Sequence, residues 1–222
     1  MPVTELSLIA SSVPGEVPPA LRELGQAGIV LQGEWCAANA PWLTQDRGAA
    51  LFQQVEDPGI MAITAHWDSL QQHHTCIASP ANQRAVADWV PHINVEAMKP
   101  GHIDGLHLFP ASEDDDEGLI PALTAPILAV ITWDVPQKDK LLFEEAMDKV
   151  KGLWDAATIP YRHRGGWKIE KDRDIEQFVV VGGLDSLEKS KELSNGEAWN
   201  EYSRVVSPFI LRVETKHYKR IA

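Results

Sequence analysis

The chain has 222 residues, of which 44% are hydrophobic and 23% are charged, and its formal net charge is −12. These proportions are ordinary for a soluble globular protein, and the negative charge repels phosphate backbones and anionic membranes. The N-terminus does not resemble a signal peptide, and no stretch approaches the ~18 apolar residues of a membrane span. With two cysteines and no CxxC motif, we expect a cytoplasmic protein without nucleic-acid or membrane partners.

Both halves of the chain predict the same succession of elements. Apolar runs that end near a Val-Pro pair are typical of strands, and spaced apolar residues among acids are typical of helices. In the first half the predicted elements are a strand at 4–10, a helix at 18–32, strands at 49–55 and 60–67, a helix from Asp68 and a strand at 93–97. In the second half they are a strand at 127–133, a helix at 138–157, strands at 161–170 and 177–182, a helix from Asp185 and a strand at 210–215.

The two halves also share residues in one register. Asp68-Ser69-Leu70 is matched 117 residues later by Asp185-Ser186-Leu187, and Pro91-x-Ile93 is matched at the same distance by Pro208-x-Ile210. Each half therefore predicts a ferredoxin-like β-α-β-β-α-β repeat.

The repeats define the domain organisation. We assign residues 1–109 to the first repeat, the acidic segment 110–124 to a linker, and 125–222 to a second, degenerate repeat. A ferredoxin-like sheet leaves one face that needs a partner. The predicted fold class is thus α+β, with the two tandem repeats packed as an intramolecular dimeric α/β barrel.

One segment of the first repeat resembles a known family. Trp67-Asp-Ser-Leu-Gln-Gln-His73-His74-Thr-Cys-Ile-Ala-Ser79-Pro80, ahead of Pro91-x-Ile, resembles the segment after the third strand in dimeric α/β-barrel proteins of the antibiotic biosynthesis monooxygenase (ABM) type. Outside this segment the resemblance is only architectural. Such proteins include cofactor-free oxygenases of quinols or aromatic polyketides, polyketide-tailoring enzymes and haem-degrading proteins, so the resemblance implies the fold more than the reaction.

The resemblance also implies where a ligand binds. In ABM-like oxygenases the substrate lies in a cleft between the sheet and the helices of one ferredoxin-like unit, and Trp67 matches a pocket tryptophan there. The second repeat has Leu184 at that position, and Ser190 and Lys191 replace His73 and His74. We therefore predict that the first repeat is the functional half and the second is mainly scaffold.

Three histidines are the candidate catalytic residues. His73 and His74 flank the helix stripe marked by Leu70 and Ile77, so one of them could face the cleft, whereas alternation along the strand points His66 away from Trp67. An imidazole is a natural general base near pH 7. The alternative is that these histidines lie at the core boundary and bond to backbone or solvent.

Several tryptophans are candidates for substrate binding or packing. Trp67, Trp35 and Trp42 are assigned to substrate binding, the last two as brackets of an aromatic lid loop, with a loop merely pinned by its tryptophans as the alternative. Trp154 and Trp199 are predicted to pack in the core. The run Tyr161-Arg162-His163-Arg164 is interpreted as an exposed strand with alternating charge, with binding of a carboxylate or phenolate as the alternative.

No cofactor is predicted. His73 and His74 are adjacent and lack the i,i+3 or i,i+4 spacing of helical metal ligands, and no pattern fixes a geometry for His102, Asp104 and His107. We therefore predict no metal site. A metal, or a haem held by an axial histidine, remains the alternative.

Together these features predict a cofactor-independent enzyme of secondary metabolism. It would bind a small aromatic or polyketide-like molecule and act by histidine-assisted proton abstraction, as a monooxygenase. A cyclase or isomerase of the same substrate class and a non-catalytic ligand-binding or dimerisation module are the alternatives. A homodimer stays open as an oligomeric state.

Overall fold

The computed structural model describes residues 1–40, 49–105 and 120–221. The chain divides into two compact units. The first unit comprises Met1–Phe109 together with Tyr218–Ala222, and the second comprises Pro110–His217. In the described part of the chain, no helix combines the length and apolar character needed to cross a membrane.

In its described residues, the first unit has a four-stranded antiparallel sheet and three α-helices. Its elements are β1 (Val3–Ala10), α1 (Pro19–Asn39), β2 (Ala50–Gln54), β3 (Ile60–Trp67), α2 (Leu70–Ile77), α3 (Pro80–Trp89) and β4 (His102–Asp104). The strand order is β4–β1–β3–β2. Residues 218–220, near the end of the chain, pair with β2.

The second unit repeats this plan. Its elements are β5 (Ile127–Pro136), α4 (Lys140–Thr158), β6 (His163–Trp167), β7 (Ile175–Leu184), α5 (Leu187–Ser194), α6 (Glu197–Val206) and β8 (Arg212–Arg220), of which residues 218–220 belong to the first unit. The strand order β8–β5–β7–β6 is the order of the first unit. The predicted α+β fold of two tandem ferredoxin-like repeats is therefore confirmed.

Strand register makes the two repeats comparable residue by residue. Trp67, the last residue of β3, pairs with Val3 at the start of β1. Leu184, the last residue of β7, pairs with Ile127 at the start of β5. Because side chains alternate across a strand, equal counts from these pairs reach equivalent positions on the same face.

The last strand of the first repeat differs from the prediction. Residues 93–97 make only one bridge, between Ser11 and Ile93, and then a 3-10 helix at Val95–Ala97. The Asn94 side chain accepts a hydrogen bond from the Ala97 backbone N–H. Such local bonds compete with strand pairing, and β4 forms later, at His102–Asp104.

The helices that follow β3 and β7 begin one residue later than predicted. Ser69 and Ser186, and not the preceding aspartates, are the N-caps, and they accept from the backbone N–H groups of Gln72 and Lys189. Asp68 instead accepts from the Gln72 side chain. Each predicted helix is also divided into two helices. In the first repeat the division lies at Ser79, which caps α3 ahead of Pro80. A new helix begins there because proline is tolerated only in the first turn of a helix.

The first helix is longer than predicted. It continues to Asn39, so Trp35 lies on α1 and not in a loop as predicted. Gly33 follows the predicted end at Gln32, but it lies inside the helix and does not end it. A single glycine in a helix lowers its stability without stopping it. Trp42, the other predicted bracket of the lid, lies outside the described residues.

Each repeat has its own core between sheet and helices. In the first repeat Leu21 of α1 packs with Leu51 and Met61 of the sheet. The second has a more aromatic core, in which the Trp133 ring lies near those of Phe143 and Tyr202.

The end of β7 requires a glycine. A Cβ atom on Gly183 would lie 2.6 Å from Tyr161 Cβ and 2.8 Å from Ala125 Cβ. Both are near the backbone and cannot swing away. We expect Gly183→Ala to lower the free energy of unfolding by about 1–3 kcal/mol through overpacking.

Gly152 is the matched control for this substitution. It lies inside α4, with nothing within 4 Å of its added Cβ. Gly152→Ala should raise the free energy of unfolding by about 0.5–1 kcal/mol, because alanine loses less backbone entropy in a helix. Urea denaturation measures both; equal effects of the two substitutions would contradict the close approach at Gly183.

Candidate functional site

The predicted site of the first repeat is a buried polar cluster of Glu5, Trp67, His73 and His102. These residues come from β1, β3, α2 and β4, respectively. Trp67 Nε1 donates a hydrogen bond to Glu5 Oε2 over 3.1 Å, and His73 Nε2 lies 3.3 Å from the same oxygen. His73 Nδ1 and His102 Nε2 are 2.7 Å apart. We call this set the first-repeat cluster.

The first-repeat cluster packs closely between the sheet and α2. The imidazole of His73 stacks on the Trp67 indole, with ring centroids 4.4 Å apart and an angle of 14° between the planes. Trp67 is 1% exposed and His73 is 4% exposed. Each polar group therefore has a protein partner within van der Waals reach, and the cluster is closely packed.

Burial dominates the electrostatics of this cluster. Desolvation raises the pKa of Glu5 above its ordinary value, against the opposing effects of the Trp67 and Ser7 hydrogen bonds and the His102 charge. A neutral Glu5 can donate its O–H to His73 Nε2, and an ionised one can accept from it. The cluster thus has two proton arrangements that use the same geometry.

The other residues predicted for this site lie around the cluster. His74 is exposed, with its ring centroid 6.2 Å from that of His102. Trp35 is half-buried and meets Trp67 edge to face at 6.3 Å. His66 is half-buried, on the face of β3 opposite Trp67. The catalytic and binding roles predicted for these residues stay predictions.

The buried face of α2 is not the one predicted from Leu70 and Ile77. The buried residues of α2 are His73 and Cys76, whereas Ile77 is exposed. His73 is drawn inward because Glu5 and His102 satisfy both of its ring nitrogens. The same burial raises the pKa of the Cys76 thiol to about 12, with smaller contributions from Cys36 and Glu5, so that thiol is unreactive at neutral pH.

An open cavity lies at the corresponding place in the second repeat. Its volume is about 190 Å³, and it lies between the sheet and helices α4, α5 and α6. Its floor is apolar and its roof includes the indoles of Trp154 and Trp199. We call this space the second-repeat cavity.

Side-chain size explains why one repeat is filled and the other is open. By strand register, Ala129 stands at the position of Glu5, and Leu184 at the position of Trp67. Six residues beyond Leu184, Ser190 stands where the first repeat has His73. All three smaller residues line the second-repeat cavity. The cavity is therefore the volume that the larger side chains occupy in the first repeat.

Two polar pairs lie in the wall of the second-repeat cavity. Ser190 Oγ and His217 Nε2 are 2.6 Å apart, which repeats the contact between His73 and the last strand of its own repeat. Thr158 Oγ1 lies 3.4 Å from His163 Nδ1 and donates to the Trp154 carbonyl. That hydroxyl therefore accepts from His163, which places the imidazole proton on Nδ1.

Sequence reasoning assigned these residues to scaffold. Trp154 and Trp199 pack against the core of this repeat as predicted, and they also line the cavity. His163, predicted to lie on an exposed strand, is half-buried there. One signal in the sequence could have found this site. Leu184 and Ser190 are smaller than Trp67 and His73 at the equivalent positions, and smaller side chains can leave a cavity as well as mark a lost motif. No pattern linked Ser190 to His217, because the two are 27 residues apart.

Neither a metal ion nor a haem fits the described residues. Within 1–40, 49–105 and 120–221, no three His, Cys, Asp or Glu side chains are placed to hold a metal ion. His107 lies outside these ranges. A cavity of about 150 Å³ accommodates one benzene ring, so the second-repeat cavity cannot hold the four pyrrole rings of a haem. The cavity is therefore too small for that group.

Fold and site together define a class: tandem ferredoxin-like proteins with a ligand-sized space between the sheet and helices of one repeat. The resemblance to ABM-type proteins inferred from the sequence is confirmed as a likeness of fold. No protein-family model matches the chain, and no curated protein matches it.

Solved structures share this fold along the whole chain. A proposed monooxygenase from Fusobacterium nucleatum is 10% identical, with 100% of this chain and 93% of that one covered and a TM-score of 0.60. A proposed monooxygenase from Lactobacillus acidophilus is 11% identical, with 99% and 93% covered and a TM-score of 0.56. An anthrone oxidase-like protein is 12% identical, with 100% and 92% covered and a TM-score of 0.59. At such identities the likeness concerns the fold alone.

The buried carboxyl of the first-repeat cluster predicts a pH dependence. Because the pKa of Glu5 is raised from 4.5, its contribution to stability is fully present below pH 4.5 and is lost as the pH rises through the folded-state pKa. Glu5→Gln keeps an acceptor for Trp67 and does not titrate. Its free energy of unfolding should therefore improve relative to wild type as the pH rises from 4.5 to 8 in urea titrations.

Glu176 provides a control of opposite sign. Its buried carboxylate lies 2.7 Å from Lys171 Nζ and 3.1 Å from Lys140 Nζ. The Lys171 hydrogen bond, with Lys140, holds its pKa below 4.5. Glu176→Gln should be less stable than wild type near pH 7, with the difference closing as the pH falls through the folded-state pKa. Parallel curves for the wild type and Glu5→Gln would refute a raised pKa of Glu5.

Proposed function

We propose that the protein is an enzyme that binds a small aromatic molecule in the second-repeat cavity, where His217 removes a proton. The observation that carries this proposal is an aromatic-roofed cavity of about 190 Å³ with the Ser190–His217 pair in its wall. Ligand sites are mostly apolar spaces with a few placed polar groups.

The dimensions of the cavity select the ligand class. A benzene ring occupies a cavity of about 150 Å³, so 190 Å³ suits one ring or two fused rings. Trp154 and Trp199 offer indole surfaces that pack on an aromatic ligand. Lys191 also lines the space and supplies a positive charge that favours a phenolate.

The polar pair supplies the proton chemistry. An imidazole is matched to proton abstraction near neutral pH. The Ser190 hydroxyl, 2.6 Å from His217 Nε2, orients the ring and can donate to the oxygen anion that forms. His217 would thus act as general base, with Ser190 as its positioning residue.

Oxygen would consume the resulting anion. With 1-naphthol as an example, removal of the phenolic proton places negative charge on the carbon para to the oxygen, and that carbon adds O₂. Loss of water from the hydroperoxide gives 1,4-naphthoquinone, so that naphthol plus O₂ yields quinone plus water. We favour an oxygenase because proteins of similar fold include two proposed monooxygenases and an anthrone oxidase-like protein. A cyclase or isomerase would consume no oxygen.

Oxygen uptake tests the role of His217. We expect wild-type protein to consume O₂ with members of a panel of one-ring and two-ring phenols that includes 1-naphthol. His217→Gln should lower kcat/KM by about 100-fold or more, the usual contribution of a general base. His92→Gln, from the 3-10 helix Val90–His92 of the first unit, is the matched control and should retain full activity.

The same assay tests the prediction made from the sequence. If His73→Gln abolishes turnover and His217→Gln does not, the active site belongs to the first-repeat cluster. If no compound of the panel causes oxygen uptake, the oxygenase proposal is wrong.

Refilling the second-repeat cavity tests its role in binding. Leu184→Trp restores the residue that the first repeat carries at this position, and the indole should occupy the ligand space. Binding of 2-naphthol in calorimetry should weaken by about 100-fold, since burial of an aromatic ring contributes up to about 3 kcal/mol. Leu141→Trp is the control, because Leu141 is 73% exposed on α4. Unchanged binding by Leu184→Trp would place the ligand elsewhere.

A further inference from the structure

The second-repeat cavity has hydrogen-bonding groups on two separate walls. His217 lies on β8 and His163 on β6, and the strand order of this unit is β8–β5–β7–β6. The two histidines are therefore separated by both central strands. At about 4.8 Å per strand spacing, their backbones lie about 14 Å apart.

The floor between these walls is apolar. It is formed by Ala129 and Ile131 of β5 and by Val180, Gly182 and Leu184 of β7. None of these side chains offers a hydrogen bond to a ligand. On its sheet-facing side a bound molecule can therefore make polar contacts with side chains only at the walls, and that side must be apolar in between.

Each wall has a second polar group beside its histidine. Ser190 lies 2.6 Å from His217, and Thr158 lies 3.4 Å from His163. The His163 wall also stands close to the floor, because a Cβ on Gly182 would lie 3.4 Å from His163 Cβ and 3.6 Å from Thr158 Cγ2. Gly182 thus keeps room for a flat ligand to reach this wall.

From this arrangement we infer that the ligand is a flat two-ring molecule with a hydrogen-bonding oxygen at each end of its long axis. One oxygen meets His217 and Ser190, and the other meets His163. His163 is then a specificity-determining residue that selects two-headed over one-headed aromatic molecules. This inference rests on the proposed function for the place of the ligand and adds the substrate class.

Three naphthols distinguish this arrangement in the wild-type protein. 2,6-Dihydroxynaphthalene has a hydroxyl at each end, 1,8-dihydroxynaphthalene has both on one side, and 2-naphthol has one. In calorimetry under nitrogen, the 2,6-isomer should bind about tenfold tighter than the other two, the usual gain from one added buried hydrogen bond. Equal affinities for the 2,6- and 1,8-isomers, or no binding of any of the three, would overturn the inference.

Two variants test which histidine binds each end of the diol. His163→Phe and His217→Phe keep a ring in each wall and remove its hydrogen bonds, and thermal unfolding checks that both fold. Each should weaken 2,6-dihydroxynaphthalene by about tenfold, whereas only one of them should weaken 2-naphthol. In the double variant the diol should lose its advantage over 2-naphthol. A tenfold advantage that survives in the double variant would contradict the assignment.

Binding and turnover separate the two proposals. Because binding is measured without oxygen, a two-ended preference without oxygen uptake would refute the proposed reaction and leave the recognition intact. Oxygen uptake that depends on His217, combined with no preference for the 2,6-isomer, would refute the recognition alone.

Discussion

The register of two strand pairs determines what each repeat can do. In both repeats the end of the third strand pairs with the start of the first, and the helix that follows crosses the same face. Three positions from these elements meet over one small volume. Since protein interiors are packed to near-crystalline density, the residues at these positions decide between a filled core and a cavity. The rest of the fold is the same in either case.

The first repeat occupies that volume with residue types that are common in active sites. Its glutamate, tryptophan and two histidines are linked by contacts of 2.7 to 3.3 Å. Buried polar groups need such partners, because an unpaired one costs the folded state its full desolvation energy. A cluster of residue types that are common in active sites can therefore be a structural core, in which the side chains hydrogen-bond to one another.

The second repeat leaves the volume open and retains one element of the network. The contact from the α-helix to a histidine of the last strand persists, with Ser190 in place of His73. A serine is too small to close the space, so the hydrogen bond lies in a cavity wall and not in a core. Duplication allows this division, since one closed copy can contribute stability while the other copy carries an unfilled volume.

The sequence by itself determined the duplication, the order of the elements and the ferredoxin-like class. These depend on local signals, namely apolar periodicity, Asp-Ser helix starts and Pro-x-Ile exits, which act over a few residues. It misplaced β4, where a side-chain bond from Asn94 decided the outcome, and the end of α1, because Gly33 did not end that helix. It ranked the first repeat above the second because it counted chemical residue types.

Only the tertiary structure showed which repeat has a closely packed cluster and which has a cavity. The distance from Ser190 to His217, the inward turn of His73 and the space above Ala129 depend on residues far apart in the chain. Whether a small residue creates a cavity is a property of the side chains around it, and packing of that kind is not local. The physical reason is that periodicity identifies the buried face of an element, whereas the space left on that face is a sum over all the elements that meet there.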